Sequence, residues 1–128
     1  MVKSLFDTNI LIDYLNGVPK AEQEIASSPD KAISLISWME VMVGTTDEEK
    51  SVVKAFLSQF ELLPIDSAGA ILAVEIRQQT NMKLPDAIIL GTARATGRLL
   101  ITRNTKDFPP GRDAGVRIPY QVRRTSKG

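Results

Sequence analysis

Four acidic residues stand where this chain could perform chemistry: Asp7, Glu40, Asp86 and Asp107. The 128 residues include no cysteine and no histidine, which excludes a thiolate nucleophile, a cysteine-based metal site and a histidine general base. Catalysis would have to use carboxylates, hydroxyl groups, lysine or arginine. Carboxylates that converge repel one another and raise their pKa values unless a cation neutralises them. Such a set of oxygen ligands indicates Mg²⁺ or Mn²⁺.

The elements that must position these acids are alternating strands and helices. Short apolar runs predict strands over residues 2–6, 32–36, 61–65 and 99–101, and a further edge strand over 116–118. Helical periodicity and capping residues fill the segments between these strands. Because strands that are separated by helices form βαβ units, we predict a parallel sheet.

The C-terminal ends of parallel strands meet at one edge of a sheet, where open α/β proteins place their sites. Asp7 follows the first predicted strand, Glu40 lies in the helix after the second, and Asp107 follows the fourth. These three acids reach that edge directly. Asp86 lies in the first turn of a later helix and reaches the same edge only if that helix begins there, which the sequence leaves open.

The first two acids also have ordinary structural explanations. Asp7 could cap the helix that follows it, as aspartate commonly does. The segment from Ser37 to Glu40 has the Ser-x-x-Glu form of a capping box, with Ser37 at the N-cap and Glu40 at the third helical position. Capping alone therefore could account for both residues.

The other acids have alternatives of the same kind. Asp86 comes directly after Pro85 and would complement the positive end of a helix dipole. Asp107 could be an ordinary turn residue. Asp66 resembles these acids, but a helix cap accounts for it, and we leave it outside the site. Only the convergence of several acids would indicate a function.

Three helices have predicted apolar faces. The helix that begins near Thr46 is predicted to bury Val52, Val53, Phe56, Leu57 and Phe60. The helix capped by Asp66 or Ser67 is predicted to bury Ala68, Ile71, Leu72 and Ile76. The run over residues 87–90 is apolar nearly all round, so its helix is predicted to be buried, with an end at Gly97.

Composition indicates one globular domain over residues 1–120, followed by a basic tail over 121–128 that is expected to fray. A hydrophobic content of 43% with 24% charged residues is typical of soluble proteins. The apolar runs are too short to cross a bilayer, and no signal peptide opens the chain, so a cytoplasmic location without membrane contact is expected. The net charge of +1 neither requires nor excludes nucleic acid.

Four segments of the sequence resemble the PIN-domain family, and within it the small toxins of the VapC type. They are Leu5–Ile10, Ser37–Val41, Leu84–Ile89 and Leu100–Phe108. Each segment alone is a weak marker, but together they follow the family's order and cover essentially the whole chain. The resemblance implies a three-layer α/β/α sandwich around a mainly parallel sheet of four to five strands. Ile89 and Gly91 stand where alanine-like residues are expected, a difference that concerns packing.

The resemblance also implies an activity, which is hydrolysis of RNA phosphodiester bonds by a water that Mg²⁺ or Mn²⁺ activates. It carries the catalytic acids over onto Asp7, Glu40, Asp86 and Asp107. Asp7 and Asp86 would bind the metal directly, with Asp107 and Glu40 as further ligands or as holders of water. The supporting polar groups carry over onto Thr8, Asn9, Thr102 and Asn104.

An RNA substrate and protein partners follow from the same resemblance. RNA phosphates require cations, and the candidates are Arg94, Arg98, Arg103, Lys106, Arg112 and Arg117. The family implies a small cognate antitoxin, a homodimer and a higher toxin–antitoxin assembly. The exposed faces of the helices that begin at Pro19 and Thr46 are candidates for a binding groove.

Two other functions compete with this prediction. A phosphatase of the haloacid-dehalogenase kind would use Asp7 as a covalent nucleophile, but it predicts a second aspartate two residues later, where this chain has Asn9. A non-catalytic PIN-like module would bind RNA or protein without cutting it. Retention of all four acids argues against that module but does not demonstrate turnover.

Overall fold

The computed structural model describes residues 2–109 and 111–121. Its centre is a five-stranded sheet in the order β3-β2-β1-β4-β5, and every neighbouring pair of strands is parallel. The strands are β1 (Lys3–Phe6), β2 (Asp30–Ser34), β3 (Glu61–Leu63), β4 (Leu99–Ile101) and β5 (Val116–Arg117). The predicted parallel sheet is therefore confirmed.

Six helices cover the sheet within the described residues. They are α1 (Thr8–Leu15), α2 (Pro19–Ala26), α3 (Leu35–Val43), α4 (Lys50–Leu57), α5 (Ser67–Gln79) and α6 (Leu84–Thr96). One hydrophobic core contains side chains from α1, α2 and α4, and a second contains side chains from α5 and α6. This arrangement confirms the predicted three-layer α/β/α sandwich.

Alternation along the central strands separates the two cores. In β1, Phe6 belongs to the core under α1, α2 and α4, whereas Leu5 belongs to the core under α5 and α6. Leu100 and Ile101 divide in the same way in β4. Successive side chains of a strand point to opposite faces, so strands covered on both sides are continuously apolar.

The predicted capping box at Ser37 is wrong. The N-cap of α3 is Ser34, whose side chain accepts a hydrogen bond from the Ile36 backbone nitrogen at 3.2 Å. β2 therefore ends at Ser34 rather than at residue 36, and Glu40 lies in the second helical turn. Ser37 is fully buried inside the helix, so the Ser-x-x-Glu pattern does not mark a helix start here.

Two predicted apolar faces also need correction. In α5 the buried residues are Gly69, Ala73 and Ile76, while Ala68 and Ile71 are exposed. The prediction followed the largest apolar side chains, but α5 presents its small residues to α6. Val52 of α4 is likewise exposed, although the other four predicted residues of that face are buried.

Close packing of α5 against α6 explains why residue 91 is glycine. A Cβ atom at Gly91 would lie 2.8 Å from the Gly69 carbonyl oxygen and 2.9 Å from the Ala73 backbone nitrogen. These neighbours are backbone atoms, which cannot move aside as a flexible side chain can. Gly97 ends α6 in the left-handed conformation with φ of 66°, as predicted, because glycine adopts this conformation without strain.

The predicted tail lies almost entirely outside the described part of the chain, since residues 122–128 are not described. Pro110 also lies outside the described residues. Within the described residues, none of the helices combines the length and the hydrophobicity that a membrane span requires.

Candidate active site

Asp7 joins β1 to α1 and is the most enclosed of the four acids, with 3% of its surface exposed. Its Oδ1 accepts a hydrogen bond from the Thr8 backbone nitrogen at 2.7 Å, so it caps α1 as predicted. Its Oδ2 accepts from the Thr102 hydroxyl at 2.7 Å. Asn9 Nδ2 lies 3.4 Å from the same oxygen and 3.2 Å from Thr102 Oγ1. The cap and the end of β4 thus fix both carboxylate oxygens.

Glu40 reaches the same edge from α3. The Thr8 hydroxyl donates to Glu40 Oε1 at 2.7 Å, and the Ser37 hydroxyl lies 2.8 Å from Thr8 Oγ1. Since Glu40 is exposed and lies in the second turn of α3, capping does not explain it. Thr8 therefore links Glu40 to the start of α1, directly beside Asp7.

Asp107 lies in a turn after β4 and is held by Asn104. Asn104 Nδ2 donates to Asp107 Oδ2 at 2.8 Å, and Asn104 Oδ1 accepts from the Asp107 backbone nitrogen at 3.2 Å. The Asn104 backbone nitrogen in turn donates to Thr102 Oγ1 at 3.1 Å. The loop after β4 thus carries one acid and also contacts Asp7.

Asp86 lies in the first turn of α6, and this turn faces the other acids. Burial, the charge of Asp107 and a hydrogen bond shared with Asp107 raise the pKa of Asp86, and the charge of Glu40 contributes further. Lys83 at the start of α6 lowers it. The interactions with Asp107 and Glu40 place the start of α6 at the edge where β1 and β4 end, which the sequence left open.

Burial is the main reason that the pKa of Asp7 rises to about 6. The charges of Asp86 and Glu40 raise it further, while the hydrogen bonds from Thr102 and Thr8 lower it. Desolvation and repulsion both disfavour an ionised carboxylate. A cation at this edge of the sheet would relieve the repulsion among these acids.

The donor atoms suit a small hard cation, although they do not form a closed cage. Among residues 2–109 and 111–121, no three acids are close enough together to hold one ion by themselves. Mg²⁺ retains several waters and commonly uses only one or two carboxylates together with substrate phosphates. An open set of carboxylate oxygens around Asp7 and Asp86 fits that mode of binding.

Several of the basic residues that were candidates for RNA binding are engaged elsewhere. Arg98 is 8% exposed and pairs at 2.9 Å with both Asp30 and Glu61, at the starts of β2 and β3. This is the edge of the sheet opposite the four acids, which argues against a phosphate contact. Arg94 pairs with Asp113, Arg103 with Asp13, and Arg117 with Glu24.

Exposed cations do remain beside the site. Lys106 is exposed in the loop that carries Asp107, and Lys83 is exposed next to Asp86. The sequence did not assign Lys83 to the site, and it indicated only a helix cap for Ser37. The position of Lys83 three residues before Asp86 could have indicated a role at the site. The contact between Ser37 and Thr8 could not be predicted in this way, because it depends on tertiary packing.

The raised pKa of Asp7 predicts how stability depends on pH in protein kept free of metal by EDTA. The folded state retains a proton that the unfolded state loses between pH 3.8 and about 6, so the free energy of unfolding falls as pH rises through this range. The expected loss is on the order of 2–3 kcal/mol. Urea denaturation of the wild type and of Asp7→Asn at several pH values measures it. The variant lacks this titration, so parallel curves for the two proteins would contradict the prediction.

Comparison with known proteins adds to this geometry. A family model described as PIN domain matches residues 4–109. The chain is 30% identical over 130 residues to a Salmonella typhimurium protein named tRNA(fMet)-specific endonuclease VapC, covering 92% of this chain and 97% of that protein.

Two solved structures have similar folds. One chain of a toxin–antitoxin complex from Klebsiella pneumoniae is similar with a TM-score of 0.86 and 47% identity, covering 94% of this chain and 100% of that one. A chain of DNA-bound VapBC from Salmonella typhimurium has a TM-score of 0.76 and 28% identity, covering 91% and 96%.

Proposed function

The chain belongs to the PIN-domain family, and we propose that it is a Mg²⁺- or Mn²⁺-dependent endoribonuclease that acts as the toxin of a toxin–antitoxin pair. The observation that carries this proposal is the buried Asp7 carboxylate, whose pKa is raised by burial and further by the charges of Asp86 and Glu40. The names of the similar proteins support both the nuclease and the toxin.

The residues of the proposed site have different roles in the reaction. Asp7 and Asp86 would hold the ion, and Asp107 and Glu40 would complete the site. When bound, Mg²⁺ or Mn²⁺ supplies Lewis-acid chemistry, which stabilises charge on the phosphate and lowers the pKa of a water to near neutral. Thr8 fixes Glu40 through Oε1, so the other oxygen of Glu40 can accept a hydrogen bond from the attacking water.

The hydrogen bonds around the acids keep them in place before the substrate arrives. Thr102 and Asn9 orient Asp7, and Asn104 orients Asp107. Groups that orient metal ligands in this way commonly contribute about 10–100-fold to metal affinity or activity. These contacts support the assignment of Thr102, Asn9 and Asn104 as positioning residues.

The substrate we propose is RNA with a defined shape, of which tRNA is the first candidate. The Salmonella typhimurium relative named tRNA(fMet)-specific endonuclease VapC supports this class. Only 5% of the residues are aromatic, which leaves little for base stacking and favours recognition of backbone and shape. Lys83 and Lys106 flank Asp86 and Asp107, and we assign them to phosphate contacts.

The partner we propose is a small antitoxin, and the protein itself is proposed to form a homodimer. A cleft of about 500 Å³ beside Glu40 is lined by α1, α3 and the start of α4 rather than by α2. It combines apolar side chains, such as Ile12 and Val52, with the acids Glu48 and Glu49. A segment with apolar anchors and a basic side chain would complement this cleft.

The proposal is tested on purified protein that is free of any partner. We expect cleavage of RNA in Mg²⁺ or Mn²⁺, loss of cleavage in EDTA, and recovery when excess metal is returned. The reason is that the only catalytic groups proposed are carboxylates, which act by holding the cation. Product analysis on gels measures the result. Cleavage that persists in EDTA would overturn the metal-dependent mechanism. Binding of RNA without cleavage would favour the non-catalytic module, and metal-independent phosphate release from small esters would favour a phosphatase.

A further inference from the structure

An ion pair between the buried Asp13 and the partly exposed Arg103 lies beside the acids and supplies no ligand to the proposed metal site. Asp13 of α1 is 5% exposed, and its carboxylate accepts from Arg103 Nε at 2.5 Å and from Arg103 Nη2 at 3.1 Å. The Tyr120 hydroxyl donates to the same carboxylate at 2.8 Å. We call these three residues the Asp13 cluster. It joins α1, the loop after β4 and the segment after β5.

The position of Arg103 connects this cluster to the site. Arg103 lies between Thr102, which donates to Asp7, and Asn104, which holds Asp107. Its backbone nitrogen donates to Asn9 Oδ1 at 3.3 Å. Anchoring the Arg103 side chain therefore fixes the loop on which two contacts to the acids depend.

Stability alone does not explain a charged pair at this place. Asp13 interrupts the apolar face of α1 between Ile10 and Tyr14, where an apolar residue would pack against the core. The Asp13 side chain is 8% exposed and that of Arg103 is 32% exposed, so the carboxylate is the charge that is removed from water. Desolvating a charge costs several kcal/mol, and well-packed apolar residues are often as stable as a buried ion. Arg–carboxylate pairs are bidentate and therefore fix orientation. The cluster is thus better suited to set the geometry of the loop than to stabilise the fold.

We propose that the Asp13 cluster positions the metal-binding carboxylates, with Arg103 acting through Thr102 on Asp7 and through Asn104 on Asp107. This inference rests on the proposed function, because it assigns the cluster a role in metal affinity. Arg103 is accordingly a positioning residue rather than a phosphate contact. Loss of its anchor lets the loop move away from α1 and weakens the site for the ion.

Direct measurement of Mn²⁺ binding by calorimetry tests this inference without relying on RNA cleavage. We expect Arg103→Gln and Tyr120→Phe to weaken Mn²⁺ binding by about 10-fold or more, as loss of groups that orient ligands does. The Mg²⁺ concentration for half-maximal cleavage should rise by the same factor. Glu24→Gln is the matched control, since it breaks another bidentate pair, with Arg117, at a more exposed place.

Each outcome of these measurements either supports or overturns the inference. If Arg103→Gln fails to fold, Tyr120→Phe carries the test, because it removes one hydroxyl and keeps the ring in the core. Unchanged Mn²⁺ affinity in the folded variants, with or without a lower Tm, would overturn the inference and leave the proposed function standing. Equal weakening by Glu24→Gln would also overturn it. Absence of Mn²⁺ binding to the wild type would overturn the proposed function and this inference with it.

Discussion

Asp7→Asn is expected to lower the rate of RNA cleavage by at least about 100-fold, since loss of a group that merely orients a ligand already costs about 10–100-fold. Asparagine keeps the shape of the side chain and is as good an N-cap as aspartate, so α1 should still form. The change removes the negative charge that is proposed to bind the cation. Single-turnover cleavage at saturating Mg²⁺ measures the effect, and far-UV circular dichroism checks the fold.

Two further variants show whether the loss belongs to the site. Asp86→Asn should reduce cleavage to a similar extent, because Asp86 is the other proposed direct ligand. Asp66→Asn is the matched control, since Asp66 caps α5 through Gly69 as Asp7 caps α1, yet it is not among the charges that act on Asp7 or Asp86. Cleavage that persists in both Asp7→Asn and Asp86→Asn would contradict the assignment of the site.

Expression in a bacterium gives the same comparison a second readout. The wild type should arrest growth, while cells with Asp7→Asn at the same protein level should grow normally. Equal growth of the two strains would count against the toxin, whereas equal arrest would show that toxicity does not depend on the carboxylate. Together with cleavage in vitro, this separates nuclease activity from the role of a toxin.

Gly91→Ala is expected to destabilise the protein by about 2 kcal/mol, a fall in Tm of roughly 5–10 °C for a chain of this size. In an open helix this change would instead gain about 1 kcal/mol, because glycine is a poor helix former. Packing makes the change in the free energy of unfolding unfavourable here, since the new Cβ would lie 2.8 Å from the Gly69 carbonyl oxygen. The helices α5 and α6 must separate, and α6 carries Asp86, so cleavage should fall as well.

Controls distinguish this close approach from a general effect of removing glycine. Gly44→Ala places its Cβ 3.8 Å or more from its neighbours and should change Tm little. Ala73→Gly should not rescue Gly91→Ala, because the atom struck at residue 73 is the backbone nitrogen. A Gly91→Ala protein as stable as the wild type would show that α5 and α6 do not meet as closely as described.

Local sequence was sufficient for the order of strands and helices and for several of their ends. Pro19 opens α2, Asp66 caps α5 and Gly97 ends α6, as predicted, because these effects depend on a residue and its immediate neighbours. The apolar run of Leu99–Ile101 likewise predicted β4 with its observed bounds. Asp7 was assigned to its position at the end of the first strand for the same reason.

Local sequence failed where a distant contact decides between two similar patterns. Ser34 and Ser37 both stand in front of helix-forming residues, and Ser37 has the glutamate of a capping box. The structure selects Ser34, because Ser37 is buried against Thr8, which is 29 residues away in the chain. Arg98 was a candidate for RNA, but Asp30 and Glu61 hold it at the opposite edge of the sheet.

The sequence by itself determined that Asp7 and Asp107 follow strands, that Asp86 opens a helix, and that a cation is the natural partner of such carboxylates. Only the tertiary structure decided that Asp86 interacts with the charges of Asp107 and Glu40. It also decided that Asp7 is buried enough to raise its pKa to about 6, and that Gly91 leaves no space for a side chain. The physical reason is the distance along the chain over which each effect acts. Capping and periodicity act over a few residues, whereas repulsion between charges, desolvation and close packing depend on segments that only the fold brings together.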